Sequence, residues 1–165
     1  MTSRVQAHGR QKSSEREILS LAVPHIERLP QTLGFNSQHC VLFLAVDATS
    51  LADDKLFSLV DWVMDQGAVY VCVWGAGCEH VHDVIDETIV ETIVKLGQME
   101  SDSTIIMTTW HDDESLEEAL WFALNNAIPA SAYSESCGAV VAVSIGNEQW
   151  EARISTYLSN PEQWS

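Results

Sequence analysis

The chain predicts an α/β fold: a three-layer, Rossmann-like or flavodoxin-like sandwich around a mostly parallel sheet of about four strands. Three observations carry that prediction. The runs His39–Val46, Ala68–Trp74, Thr104–Thr109 and Ala139–Ile145 are almost continuously apolar and rich in β-branched residues, as strands covered on both faces are. Amphipathic stretches of helical length separate them. No short hairpin turn joins consecutive runs, so right-handed crossovers and parallel pairing are expected.

The elements follow in order. Residues 1–13 are polar and aperiodic, which predicts a disordered tail ahead of one domain at 14–165. From Ser14, the spacing of Ile18, Leu21, Ala22, His25, Ile26 and Leu29 predicts a helix, with Glu17 at capping-box distance from Ser14 and Pro24 interrupting it. His39–Val46 is the first strand and ends at Asp47. Asp47, Thr49 and Ser50 supply turn and cap chemistry before a helix at about Leu51–Gln66, which Gly67 closes. Ala68–Trp74 is the second strand, followed by Gly75-Ala76-Gly77 and a helix at about Cys78–Leu96. Gln98–Ser103 reads as a polar loop. The third strand, Thr104–Thr109, hands over at Trp110-His111 to a helix at about Ser115–Ala127. Pro129–Gly138 is a loop of small residues, and its irregularity leaves open an antiparallel edge position for the fourth strand. A helix at about Glu148–Leu158 turns Trp150, Ile154, Tyr157 and Leu158 inward.

Charge is the unusual feature of the composition. The 165 residues carry 24 acidic and 8 basic side chains, a formal charge of −16. Five of the bases fall in Met1–Arg28, with three acids, so the rest of the chain carries −18. Twelve acids and a single base, Lys95, lie between Gly75 and Glu118. Such a surface repels phosphate backbones and anionic lipid, so neither nucleic acid nor membrane is expected as a partner; a basic protein or a cation suits it. No run approaches the length of a membrane span, and the first residues lack an apolar export segment, so the expected location is cytoplasmic. The four cysteines show no CxxC pairing, and disulfides are not expected in that setting.

Parallel strands bring their carboxyl ends together, and open α/β sheets keep ligands there. One crevice is therefore expected to collect Asp47, Trp74, Cys78, His82, Asp83, Trp110, His111 and Asp112. A thiol at a helix N-terminus is a candidate nucleophile; Cys78 would act with His111 as base and Asp112 or Asp47 as the orienting carboxylate, or else serve as a structural thiol, since nearby carboxylates such as Glu79 raise its pKa. A metal is the second chemistry: Cys78, His82 and His111 for zinc, or Asp47, Asp83 and Asp112 for magnesium. The spacing matches no specific metal motif, so metal and cofactor stay open. Nucleotide binding has little support, since neither GxGxxG nor GxxxxGK[ST] occurs. Trp74 and Trp110, each ending a strand, would either roof the core or form an aromatic wall for a ligand or partner.

Two motifs carry a family resemblance. One is Trp74-Gly75-x-x-Cys78 followed by Asp83-x-x-Asp86. The other runs Thr108-Thr109-Trp110-His111-x-Asp113-Glu114-x-Leu116-Glu117-Glu118-x-x-Trp121-Phe122-Ala123. On these, from about Val41 to Ala127 and more loosely in the last strand, the chain resembles a bacterial domain-of-unknown-function family of small α/β proteins. The resemblance implies no activity, but it singles out Trp74, Gly75, Cys78, Asp83, Asp86, Trp110, His111 and Glu114 as candidate ligand- or partner-binding residues. Where the family has Trp-Asp before those aspartates, this chain has Val81-His82, which weakens a zinc role for His82.

Three functions follow as expectations. The first is an interaction or regulatory module, of accessory or immunity type, that offers its acidic face to a basic protein. The second is a small hydrolase-like enzyme working through Cys78 and His111 or a bound metal. The third is a small-ligand sensor using the same crevice.

Overall fold

A computed structural model describes residues 3–97 and 104–164. Among them are six strands and four α-helices. The strands are β1 (Gln6–Arg10), β2 (Glu17–Val23), β3 (His39–Ala45), β4 (Ala68–Trp74), β5 (Met107–His111) and β6 (Cys137–Ile145). The helices are α1 (Asp53–Asp65), α2 (Cys78–Lys95), α3 (Leu116–Asn125) and α4 (Glu148–Leu158). One sheet takes all six strands in the order β1-β2-β6-β3-β4-β5, parallel throughout except for the antiparallel pair β1–β2.

The fold is α/β with a mostly parallel sheet, but of six strands rather than four. The two additional strands lie where a tail and a helix were expected. Glu17–Val23 is a strand because six of its seven residues are buried and it pairs along its whole length with β6. A strand covered on both faces is apolar at nearly every position, and the matches at Ile18, Leu21 and Ala22 to a helical spacing are incidental to that. Gln6–Arg10 is largely exposed; backbone pairing to β2, rather than burial, holds it. The last strand is no antiparallel edge. β6 lies between β2 and β3, parallel to both. The polar loop expected at 98–103 falls outside the described residues.

Alternation along the strands divides the core into two clusters. Leu42, Leu44, Val71, Val73 and Val141 pack with Leu59 and Val63 of α1 and with Val81 and Ile85 of α2. Val41, Phe43, Cys72, Val140 and Ala142 pack with Leu116, Leu120 and Ala123 of α3 and with Ile154 and Leu158 of α4. Leu59, Ile85 and Leu120 are essentially inaccessible, and burying a side chain of that size stabilises the fold by about 1.5–3 kcal/mol. Cys40, Cys72, Cys78 and Cys137 are all buried and free.

Candidate functional site

The carboxyl ends of β3 and β4 are locked together by glycine. Gly75 has φ +119°, and a Cβ there would stand 2.1 Å from the carbonyl oxygen of Val46. No other residue fits so close an approach. Hydrogen bonds from Val46 N to Trp74 O (3.1 Å) and from Ala48 N to Ala76 O (2.9 Å) close the seam. Gly77, at φ +76°, then turns the chain into α2. The Trp74-Gly75-x-x-Cys78 motif is thus first a packing device, and it sets Cys78 as the first residue of α2.

Cys78 is 1% exposed. Burial pushes its thiol pKa up, a backbone hydrogen bond from His111 pulls the other way, and the charge of Asp112 adds to the rise. The sulfur therefore meets the main chain of His111. The imidazole is engaged elsewhere: Nδ1 lies 3.0 Å from both carboxylate oxygens of Glu114, and Nε2 lies 2.9 Å from Thr109 Oγ1. A carboxylate only accepts, so Nδ1 carries the proton and Nε2 accepts from the threonine hydroxyl. Phe122 packs on the buried ring at 4.8 Å. Thr109 also reaches Cys72, so a buried polar string runs along this side of β5. The expected Cys78–His111 dyad with Asp112 as orienting group is replaced by a His111–Glu114 pair and a thiol held by backbone.

Strand alternation explains a second correction. The third strand extends through Trp110 and His111 instead of stopping before them. Trp74 pairs with His111 and Val73 with Trp110, so adjacent side chains of β5 point to opposite faces. His111 joins Trp74 on the α3 side. Trp110 goes to the α2 side, where it stacks on His82 at 4.6 Å. His82 also contacts Thr108 (3.1 Å) and Asp86 (3.3 Å). The expected Trp74–Trp110 wall does not form. The aromatic partner of Trp74 is Trp150, edge-on at 5.2 Å.

The resulting cleft has a volume of about 430 Å³, and its walls include Trp74, Glu79, His111, Asp112, Glu114 and Trp150. Trp74 is fixed by donating from Nε1 to the carbonyl of Glu114 (2.9 Å). Of the residues singled out in the sequence, Trp74, Gly75, Cys78, His111, Asp112 and Glu114 border this cleft. Asp47 does not: it accepts from Thr49 N and caps a short 3-10 turn beside a neighbouring cleft of about 300 Å³. Asp83 is exposed on α2, and Asp86 is held by His82. Among the described residues no three His, Cys, Asp or Glu side chains converge to hold a metal, so neither expected ligand set is assembled.

Glu79, which follows Cys78, lies on the rim. One contributor was missed by sequence reasoning: Trp150 was read simply as an inward residue of the last helix. Asn147 caps α4 by accepting from the N–H groups of Gln149 and Trp150, which sets Trp150 over the carboxyl ends of the strands. Its signal lay in the pairing of β6 with β3, which local pattern does not reveal. Ser115 caps α3 in a reciprocal box with Glu118, which leaves Asp112 exposed at the cleft and Glu114 to the histidine.

No helix among the described residues is long and apolar enough to cross a membrane. A comparison with curated proteins finds no match. A family model described as a domain of unknown function, DUF7684, matches residues 16–161, a span that begins just before β2 and takes in the whole cleft. The chain therefore belongs to the DUF7684 family.

Proposed function

We propose that this chain is a cytoplasmic interaction module that presents its carboxyl-end cleft to a basic protein, with a lysine or arginine side chain of that partner entering against Trp74 and Trp150. The sheet, with helices packed on two core clusters, is then a three-layer Rossmann-like sandwich using its customary ligand end. The observation that carries the reading is the composition of the cleft. Glu79, Asp112 and Glu114 stand beside two indoles, and no Lys or Arg lines it. Carboxylates with an aromatic face are the chemistry that holds a guanidinium or ammonium group. The exposed face of α2 continues the charge through Asp83, Glu87 and Glu91, which favours a protein surface over a small cation as the occupant. The burial of Cys78 and the engagement of both His111 nitrogens weigh against a hydrolytic dyad.

The test is affinity capture from cells with the full chain and with a Glu79→Lys/Asp112→Lys variant. The expected result is a basic protein retained at low ionic strength, released by salt, and bound about tenfold or more weakly by the variant. Equal capture by the variant, or a complex indifferent to salt, overturns the reading.

A further inference from the structure

A second site lies at the opposite end of the sheet. There the turn after β1 and the C-terminal 3-10 turn Pro161–Trp164 face each other across a cleft of about 430 Å³. We propose that this cleft binds an organic anion, a carboxylate carried on an apolar body.

The walls are built and tied together. Gln11, 5% exposed, donates from Nε2 to Asn125 Oδ1 (3.2 Å) and accepts from Ser14 Oγ (2.7 Å). Asn125, the last residue of α3, donates in turn to the carbonyl of Trp164 (2.6 Å). One side chain thus fixes both the β1 turn and the C-terminal turn to the same helix end. The cleft between them is a feature of the packed fold rather than a gap between loose ends.

Its chemistry differs from the rest of the surface. Arg10 and Lys12 line it against a single carboxylate, Glu162, in a chain of net charge −16. Arg10 donates from Nη1 to the carbonyl of Glu15 (2.8 Å); a guanidinium carries five N–H donors, so this bond orients the group and leaves others for a ligand. Pro161 and the indole of Trp164 supply an apolar wall. Trp164 is 4% exposed, and its Nε1–H has no hydrogen-bond partner. Buried donors are almost always paired; this orphan N–H, itself without accessible surface, belongs to a residue that lines a cleft rimmed by cations, and it marks that wall as the place where an acceptor is missing. A carboxylate satisfies the cations, and an apolar body covers Pro161 and the indole beside the unpaired donor.

This site is independent of the acidic cleft, so the two proposals fail separately. The test follows the tryptophan indole N–H signals of the ¹⁵N-labelled full chain by NMR, assigned through bonds so that no tryptophan need be replaced. The probe is 1-naphthoate, with neutral 1-naphthamide and inorganic phosphate as comparisons. Naphthoate is expected to shift the Trp164 signal saturably, with both comparisons binding about fivefold or more weakly. An Arg10→Gln/Lys12→Gln variant is expected to lose about fivefold or more in naphthoate affinity. Both side chains are exposed, and unchanged signals from the other indoles report that the variant is folded. The proposal is overturned if naphthoate produces no saturable shift at Trp164, or if the variant binds as tightly as the parent. Equal binding of naphthamide overturns the charge requirement and equal binding of phosphate the apolar one, and the proposal falls with either.

Discussion

The two ends of the sheet are built on opposite principles. At the carboxyl ends the main chain is pressed together: Gly75 lies against Val46, the thiol of Cys78 against the backbone of His111, and the indole of Trp74 against the carbonyl of Glu114. Glu79 and Asp112 are left over from this packing and face outward, while Glu114 turns back to His111. At the amino ends the chain is tied by side chains, Gln11 to Asn125 and Asn125 to Trp164, and a buried donor remains unpaired. A site at the first end has its shape specified by backbone geometry and its charge by the acids on the rim. A site at the second depends on a few amides that are already paired within the fold.

The sharpest way to break this contrast is Gly75→Ala. A Cβ at 2.1 Å from a carbonyl oxygen, on a residue at φ +119°, is expected to cost about 3 kcal/mol or more in urea unfolding. A loss below about 1 kcal/mol would show that the seam gives way easily. Next in size is the thiol. Native Cys78 is expected to react with iodoacetamide about a hundredfold more slowly than an unfolded-chain cysteine, since burial raises its pKa and excludes the reagent. Rapid alkylation at neutral pH would instead revive the nucleophile. Charge reversals then compare the two ends directly: Asp112→Lys is expected to weaken a basic partner about tenfold, while Arg10→Glu leaves that partner unaffected and acts only on naphthoate.

The smallest effect belongs to neither cleft. The Arg153 guanidinium, hydrogen-bonded to Glu117 across α3 and α4, holds that carboxyl below its usual range. A depressed carboxylate pKa contributes stability that is present above the ordinary glutamate value and is lost as pH falls through the lowered one. Both groups are more than a third exposed, so screening limits the contribution to about 0.5 kcal/mol. Glu117→Gln should remove that acid-side slope from thermal melts while leaving the neutral-pH melting temperature within a few degrees.

Periodicity and punctuation made the middle of the chain legible. Ala68–Trp74 is a strand as read, because its apolar run is bounded by Gly67 and Gly75. Glu148–Leu158 is a helix as read, because its inward residues recur at helical spacing. What failed was local reasoning about residues whose fate is decided at a distance. Glu17–Val23 is a strand only because β6 comes to lie beside it, more than a hundred residues later in the chain. At the site, the resemblance and the strand-end rule pointed to Trp74, His111 and Glu114. Neither could say that strand register would send Trp110 to the far face, nor that Trp150 would arrive from the last helix. Spacing along one strand gives order and not facing; facing comes from the partner strand.

The position of β6 has a consequence for how the chain acquires its shape. Residues 137–145 lie between β2 and β3 and hold them together. Until that segment leaves the ribosome, the β1–β2 hairpin has no neighbour to dock on, and β3-β4-β5 presents an open apolar edge. Such long-range closure makes folding slow and late. Synthesis that stops at Pro129 would leave two halves with nothing to join them, and both would be substrates for chaperones.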